Sequence, residues 1–214
     1  LVPVAKALEP ETEASLTELA RLGYPVRMLR GGSQVDLVRS ALASDAIRDG
    51  FEETLWIDSD VVFTPRDVEL IREHSEPFVA GLYVKKDRNE FAAIFEQRSI
   101  RFGEGGGLIP MVGVGMGFTR IRRMVFDEVK RVFGLPDCGG GYDPSKTITP
   151  YFLPMVVDGV YLSEDYSFGH RAKTAGFVVQ ADTRLKLGHV HRHVRTWDDL
   201  MPQTRYETLD VQAG

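Results

Sequence analysis

Apolar positions recur along this chain with two different periods, and the change between them divides it. Residues 1–5 are a short apolar stretch that predicts a first strand. Over residues 9–22, Leu16, Leu19 and Ala20 share a helical face, with Pro10 in the first turn and Glu11 and Glu13 at its positive end. A second strand is predicted over 24–29. Ser33 followed by Asp36 has the form of a capping box, opening a helix to about Arg48 with Val35, Val38, Leu42 and Ala46 inward. Gly50 stops it. Residues 54–57 are an apolar run of the fully buried type, Thr64-Pro65 opens a helix to His74, and 78–84 is strand-like again. This alternation predicts a mainly parallel sheet with crossover helices.

After about residue 90 the pattern changes. Stretches 91–95, 99–102 and 108–114, with a Gly-rich turn at 103–107, predict a small antiparallel meander. A strong helix is predicted over 122–133, where Val125, Phe126, Val129, Val132 and Phe133 keep helical spacing. Four glycines and three prolines make 134–150 the expected mobile loop. A helix over 163–175 and strands over 177–181 and 185–190 complete the pattern. There is no internal repeat.

Composition narrows the classes. With 214 residues, 43% of them apolar, the chain has enough for one domain with a sizeable core. A net charge of −5 offers no overall attraction for nucleic acid, so none is expected as a partner. No apolar run approaches the ~20 residues of a membrane span. The sequence starts at Leu1 and not Met, which leaves a preceding segment open. A single cysteine, Cys138, rules out an internal disulfide and a Cys-based zinc site, and implies a reducing, cytoplasmic setting.

The candidate chemistry centres on Asp58-Ser59-Asp60. An apolar strand delivers two carboxylates, two residues apart, to the C-terminal edge of the expected parallel sheet, where open α/β sheets bind ligands. Two close carboxylates repel unless protons or a cation neutralise them, and a divalent metal holding a diphosphate suits that need. A solvated acidic turn is the bland alternative. The glycines Gly113, Gly115 and Gly117 do not form a dinucleotide fingerprint, since the third arrives one residue early. They let backbone approach a ligand, or they pack tightly; the spacing does not choose. His189, His191 and His193 lie on one side of an extended strand. Ser163, Glu164 and Asp165 suit the start of a helix by capping and dipole alone. Lys85, Lys86, Arg184 and Lys186 are positioned to offset pyrophosphate charge or simply to be solvated.

Ile57-Asp58-Ser59-Asp60 resembles the Asp-x-Asp motif of GT-A glycosyltransferases. The resemblance continues in order through Gly81-Leu82-Tyr83, Val112 to Phe118, Ser163 to Phe168 and Gly188-His189, and so covers nearly the whole chain; it is to bacterial members of that family. It implies a GT-A fold, Rossmann-like, with a mainly parallel central sheet, helices on both faces and the small meander. Residues 1–90 become the nucleotide-binding half, 91–195 the half that binds acceptor and completes the metal site, and 196–214 a tail. The implied ion is Mn²⁺ or Mg²⁺, held by Asp60, Asp58 and His189, and Mn²⁺ accepts such a mixed set more readily. The nucleotide would be held by Asp58, Ser59, Arg39 and Asp36, and the acceptor by Gly115 and Gly117. Asp165, with Glu164, would take the acceptor proton.

The implied activity is hexosyltransferase-like: transfer of a sugar from a UDP- or GDP-sugar to a saccharide or other hydroxyl acceptor, inverting or retaining. Two alternatives are a sugar-nucleotide-binding module without turnover and a haloacid-dehalogenase-type phosphatase. Against the phosphatase, Asp58-Ser59-Asp60 comes late in the chain and is followed by Val61-Val62 instead of a Gly-Thr pair.

Overall fold

The computed structural model describes residues 1–86, 90–97, 99–139, 143 and 145–191. The chain opens with β1 (Val2–Val4), α1 (Pro10–Arg21), β2 (Met28–Arg30), α2 (Val35–Arg48), β3 (Glu53–Ile57), β4 (Val61–Val62), α3 (Pro65–Arg72) and β5 (Phe78–Gly81). It continues with β6 (Ala93–Phe95), β7 (Leu108–Val114), β8 (Phe118–Arg122), α4 (Arg123–Phe133), β9 (Cys138–Gly139) and β10 (Thr147–Ile148). Last come β11 (Met155–Val157), β12 (Val160–Leu162), α5 (Glu164–Thr174), β13 (Gln180–Asp182) and β14 (Gly188–His189).

The central sheet has six strands in the order β3-β8-β5-β13-β7-β6. Its pairings correct the expectation of a mainly parallel sheet. Only β5 and β13 pair in parallel; β3–β8, β5–β8, β13–β7 and β6–β7 are antiparallel. The helical crossovers do bring β3 and β5 into the same direction, but β8 is inserted between them and runs against both. At the β3 edge, Leu1 N donates to Leu55 O and Leu1 O accepts from Ile57 N, which sets β1 alongside β3. β2 pairs with β1 in parallel.

Strand alternation gives the sheet two apolar faces. Trp56, Phe78, Ala80, Ile121 and Ala181 point to one side, into a cluster with Val38 and Leu42 of α2, Val125 and Phe126 of α4 and Phe168 of α5. Ile57, Val79 and Phe118 point to the other, against Leu16 and Leu19 of α1 and Val68 and Ile71 of α3. Phe152 stacks on Phe168 with ring centroids 4.6 Å apart and meets Trp56 edge-on at 5.1 Å. Each large side chain buried this way contributes about 1.5–3 kcal/mol.

Several local expectations change. The helix after Ser33 starts one residue later, with Gln34 at the N-cap and no side-chain cap. The expected mobile loop at 134–150 carries an antiparallel pair, β9 with β10. No strand forms at 99–102. The expected strand at 185–190 shortens to Gly188–His189 and pairs with β4 outside the central sheet. Two strands beyond the expected set, β11 and β12, make a hairpin whose turn holds Asp158 and Gly159 at positive φ. The tail at 196–214 lies outside the described residues, as does His193. Among the described residues no helix is long and apolar enough to cross a membrane.

Candidate functional site

Asp58 follows the last residue of β3, and its backbone N–H donates to Gly117 O at the start of β8 (3.0 Å). The carboxylate thus stands at the strand's C-terminal edge. Its Oδ1 accepts from Arg39 Nη2 at 2.7 Å. Arg39 is buried on α2, packs 5.8 Å from the Trp56 ring, and has its Nε 3.5 Å from Glu164 Oε1. One guanidinium therefore links the motif acid to the first residue of α5. Burial pulls the Arg39 pKa down, but Asp58 and Glu164 outweigh it and hold the pKa above its ordinary value. Among the described residues, Arg39 Nε and Nη1 have no hydrogen-bond partner.

Asp60 is fixed from a different side. Val190 N donates to Asp60 O (2.8 Å), and His189 pairs with Val61, so β14 lays His189 beside the motif. His189 Nδ1 contacts Val84 O at 2.7 Å, and a carbonyl can only accept, so Nδ1 carries the hydrogen. That leaves Nε2 facing Asp60 Oδ1 at 3.3 Å. A neutral imidazole would offer a lone pair there, toward an acceptor. The pair is favourable only with a proton or a cation between the two atoms. Burial lowers the His189 pKa, yet Asp60 and the Val84 carbonyl carry it above the usual histidine value. Burial likewise raises Asp60, while His189 and the Lys86 ammonium, bonded to Oδ2, bring it below the carboxylate range.

Tyr83, just past β5, closes the floor. Its hydroxyl accepts from Gly117 N (3.0 Å), its ring meets His189 edge-on at 5.1 Å, and burial with the nearby Asp58 charge raises its pKa well above normal. The two glycines follow from this contact. A Cβ on Gly115 would lie 2.5 Å from the Tyr83 hydroxyl. One on Gly117 would lie 2.7 Å from the same oxygen and 2.9 Å from Asp58 Oδ2. Gly113 is covered by Tyr166, where a Cβ would approach to 2.6 Å. Tight packing accounts for all three.

At the start of α5, Ser163 is the N-cap, but its hydroxyl donates to Asp165 Oδ1, which also accepts from Tyr166 N at 2.8 Å. Asp165 is committed to its own helix turn. Glu164 is the acid of this pair that reaches Arg39. Burial, and then the neighbouring Asp165 charge, push its pKa up despite Arg39.

The fold thus brings together Asp58, Arg39 and Glu164 on one side and Asp60, His189 and Lys86 on the other, with Tyr83, Gly115 and Gly117 between. Asp36 stays outside this group: it is half-buried in the first turn of α2, beside Leu37, Ser40 and Cys138. Ser59 is half-buried and gives its carbonyl to Glu9 N (2.9 Å). His191 is exposed. Among the described residues no three or more His, Cys, Asp or Glu side chains converge closely enough to hold a metal. The motif charges are balanced by Arg39 and Lys86 instead. Sequence reasoning missed Tyr83 and the specific pairing of Lys86, although Gly81-Leu82-Tyr83 and Lys85-Lys86 both stood out in the chain.

No protein-family model matches this chain, and no curated protein matches it. Among solved structures it is similar to A197 from STIV, at 19% identity with a TM-score of 0.59, covering 89% of this chain and 84% of that one. That likeness is one of fold. It also aligns with GalNAc-T7, solved with UDP, GalNAc and Mn²⁺, at 12% identity and a TM-score of 0.48, over 90% of this chain and 37% of that one.

Proposed function

We propose that this chain has a GT-A-like fold and is a metal-dependent glycosyltransferase, moving a sugar from a UDP- or GDP-sugar to a hydroxyl acceptor. The observation that carries this reading is the Asp60–His189 pair. With His189 Nδ1 committed to Val84 O, its Nε2, once it gives up a proton, and Asp60 Oδ1 present two acceptors 3.3 Å apart. A divalent ion accepting one carboxylate and one imidazole fits that donor set, with Mn²⁺ favoured over Mg²⁺. When bound, the ion supplies Lewis acidity to the departing diphosphate.

The protein's own groups take the remaining roles. Lys86, bonded to Asp60, would be free to offset a ligand's phosphate charge if an ion were held by Asp60. Asp58 and Ser59 face the nucleotide, and Arg39 holds Asp58 in place from beneath. Asp36 has no support from the geometry as a nucleotide contact. Gly115 and Gly117 have no support from the geometry as acceptor contacts, since Tyr83 fills the space above them. Glu164 and Asp165 border that floor, and Glu164, with its raised pKa and its link to Asp58 through Arg39, is the better general base of the two. A cytoplasmic setting belongs to the same proposal.

Calorimetry with UDP and GDP, in Mn²⁺ and in EDTA, tests it. Binding of at least one nucleotide should require the metal and be lost in Asp60→Ala. Undiminished binding in EDTA would remove the metal bridge. A binding module without turnover is separated by incubating a bound nucleotide-sugar with the protein: transfer or slow donor hydrolysis marks an enzyme.

A further inference from the structure

A cavity lies away from the motif, under the N-terminal end of β3 and the C-terminal end of α1. Its volume is about 690 Å³, within the usual range of small-ligand sites. Leu16 and Leu19 of α1, Leu22 at its C-cap, Val26, Leu55 and Val68 give it an apolar body. Its rim is basic and ordered. Arg27 lies over the Phe51 ring at 4.6 Å and pairs with Asp49 at 2.6 Å; Arg72 lies over the Tyr24 ring at 5.5 Å and pairs with Glu53 at 2.6 Å. Stacking on an aromatic face holds a guanidinium in a fixed plane with its donors outward.

The deep wall contains Arg120, fully buried at the centre of β8. Its Nη2 is bonded to the carbonyls of His74 and Glu76, but among the described residues its Nε and Nη1 have no hydrogen-bond partner. The Glu53 carboxylate, 3.6 Å from Nη1, is shared with Arg72. Two guanidiniums thus draw on one carboxylate, and buried donors are left over. Unsatisfied buried donors are uncommon in folded proteins and call for an acceptor.

We propose that this cavity is a second ligand site, for an amphipathic anion: an aliphatic body in the apolar space and a carboxylate head at Arg72 and Arg120. Of the two lining carboxylates, Glu53 is already paired to Arg72 and Glu52 is exposed to solvent at the rim, so the buried charge that a head group would meet is that of arginine. The site is independent of the glycosyltransferase reading, because none of the groups around Asp58 and Asp60 contributes to it beyond Ile57 in its wall.

Calorimetry with decanoate, decanol and decyltrimethylammonium, each below its micelle concentration, tests the proposal on the full chain. Decanoate should bind saturably at one site and raise the melting temperature. Decanol should bind about tenfold more weakly or worse, since it lacks the charge-assisted hydrogen bonds. Leu22→Trp, at an exposed rim position, should fill the opening and abolish decanoate binding while leaving metal-dependent nucleotide binding intact. Arg72→Gln should weaken decanoate and leave decanol unchanged. Equal affinity for decanoate and decanol, preference for the cation, or undiminished binding in Leu22→Trp would overturn the proposal, as would no binding by decanoate at all.

Discussion

At the scale of single residues, the motif acids are defined by what stands next to them. Asp58 and Asp60 are two positions apart, yet one answers to Arg39 and the other to His189 and Lys86. His189→Ala should therefore weaken Mn²⁺ binding about tenfold or more, whereas His191→Ala should change it little, as read by calorimetry with the ion alone. Equal small effects would return the histidines to solvated surface. Glu164 makes a second prediction. Burial and then Asp165 raise its pKa above 4.5, so the native state binds that proton more tightly than the unfolded chain. The stability it contributes is full below 4.5 and is lost as pH rises through the raised native value, where the buried charge must form. Melting curves of wild type and Glu164→Gln, taken from below 4.5 to neutrality, should diverge in the variant's favour just above 4.5 and then run parallel. Curves parallel throughout would count against a perturbed Glu164. Asp58, Asp60, Glu164 and His189 were legible in the sequence because each sits at the end of a recognisable element. The contacts of Tyr83 with Gly117 and of Lys86 with Asp60 were not, because they join positions 34 and 26 residues apart and exist only once the sheet is closed.

At the scale of elements, two sites with the same spacing behaved differently. Thr64 and Asp67 form a full capping box at the start of α3, with each side chain bonded to the other residue's backbone N–H. Ser33 and Asp36 do not. Pro65 explains the contrast: its fixed φ suits the first helical position and sets Thr64 as the cap. After Gly31-Gly32 nothing imposes such a register, and the helix begins at Val35. Thr64→Ala should cost about 1 kcal/mol by denaturant titration, and Ser33→Ala almost nothing. A cost for Ser33 matching that for Thr64 would contradict the assigned caps. The longer helices, α1, α2, α4 and α5, were legible because their apolar stripes repeat over about three turns or more. β8 was not. Its central Arg120 reads as surface, and only the carbonyls of His74 and Glu76, brought over by the turn after α3, let that charge lie within a sheet.

At the scale of the whole molecule, the hidden strand decides the architecture. Alternating strands and helices did give the direction of β1, β3 and β5, but adjacency is a separate matter: β8, from the second half of the chain, lies between β3 and β5 of the first. The site inherits this interleaving, with Asp58, Asp60 and Lys86 from the first part and Gly117, Glu164 and His189 from the second. β3 and β5 of the first half therefore join one sheet only through β8 of the second. The described residues should accordingly unfold in one cooperative step. Val79→Ala removes apolar volume from the face packed by α1 and α3, and Phe168→Ala from the face packed by α2, α4 and α5. The first should cost about 2–3 kcal/mol and the second about 3–5 kcal/mol, by analogy with other large-to-small core changes. If the interleaved sheet is one unit, both substitutions lower the same urea midpoint, with far-ultraviolet dichroism and the fluorescence of buried Trp56 falling together. Two separated transitions, one moved by Val79→Ala and the other by Phe168→Ala, would mean that the two faces fold independently and that β8 does not bind the halves into a single cooperative sheet.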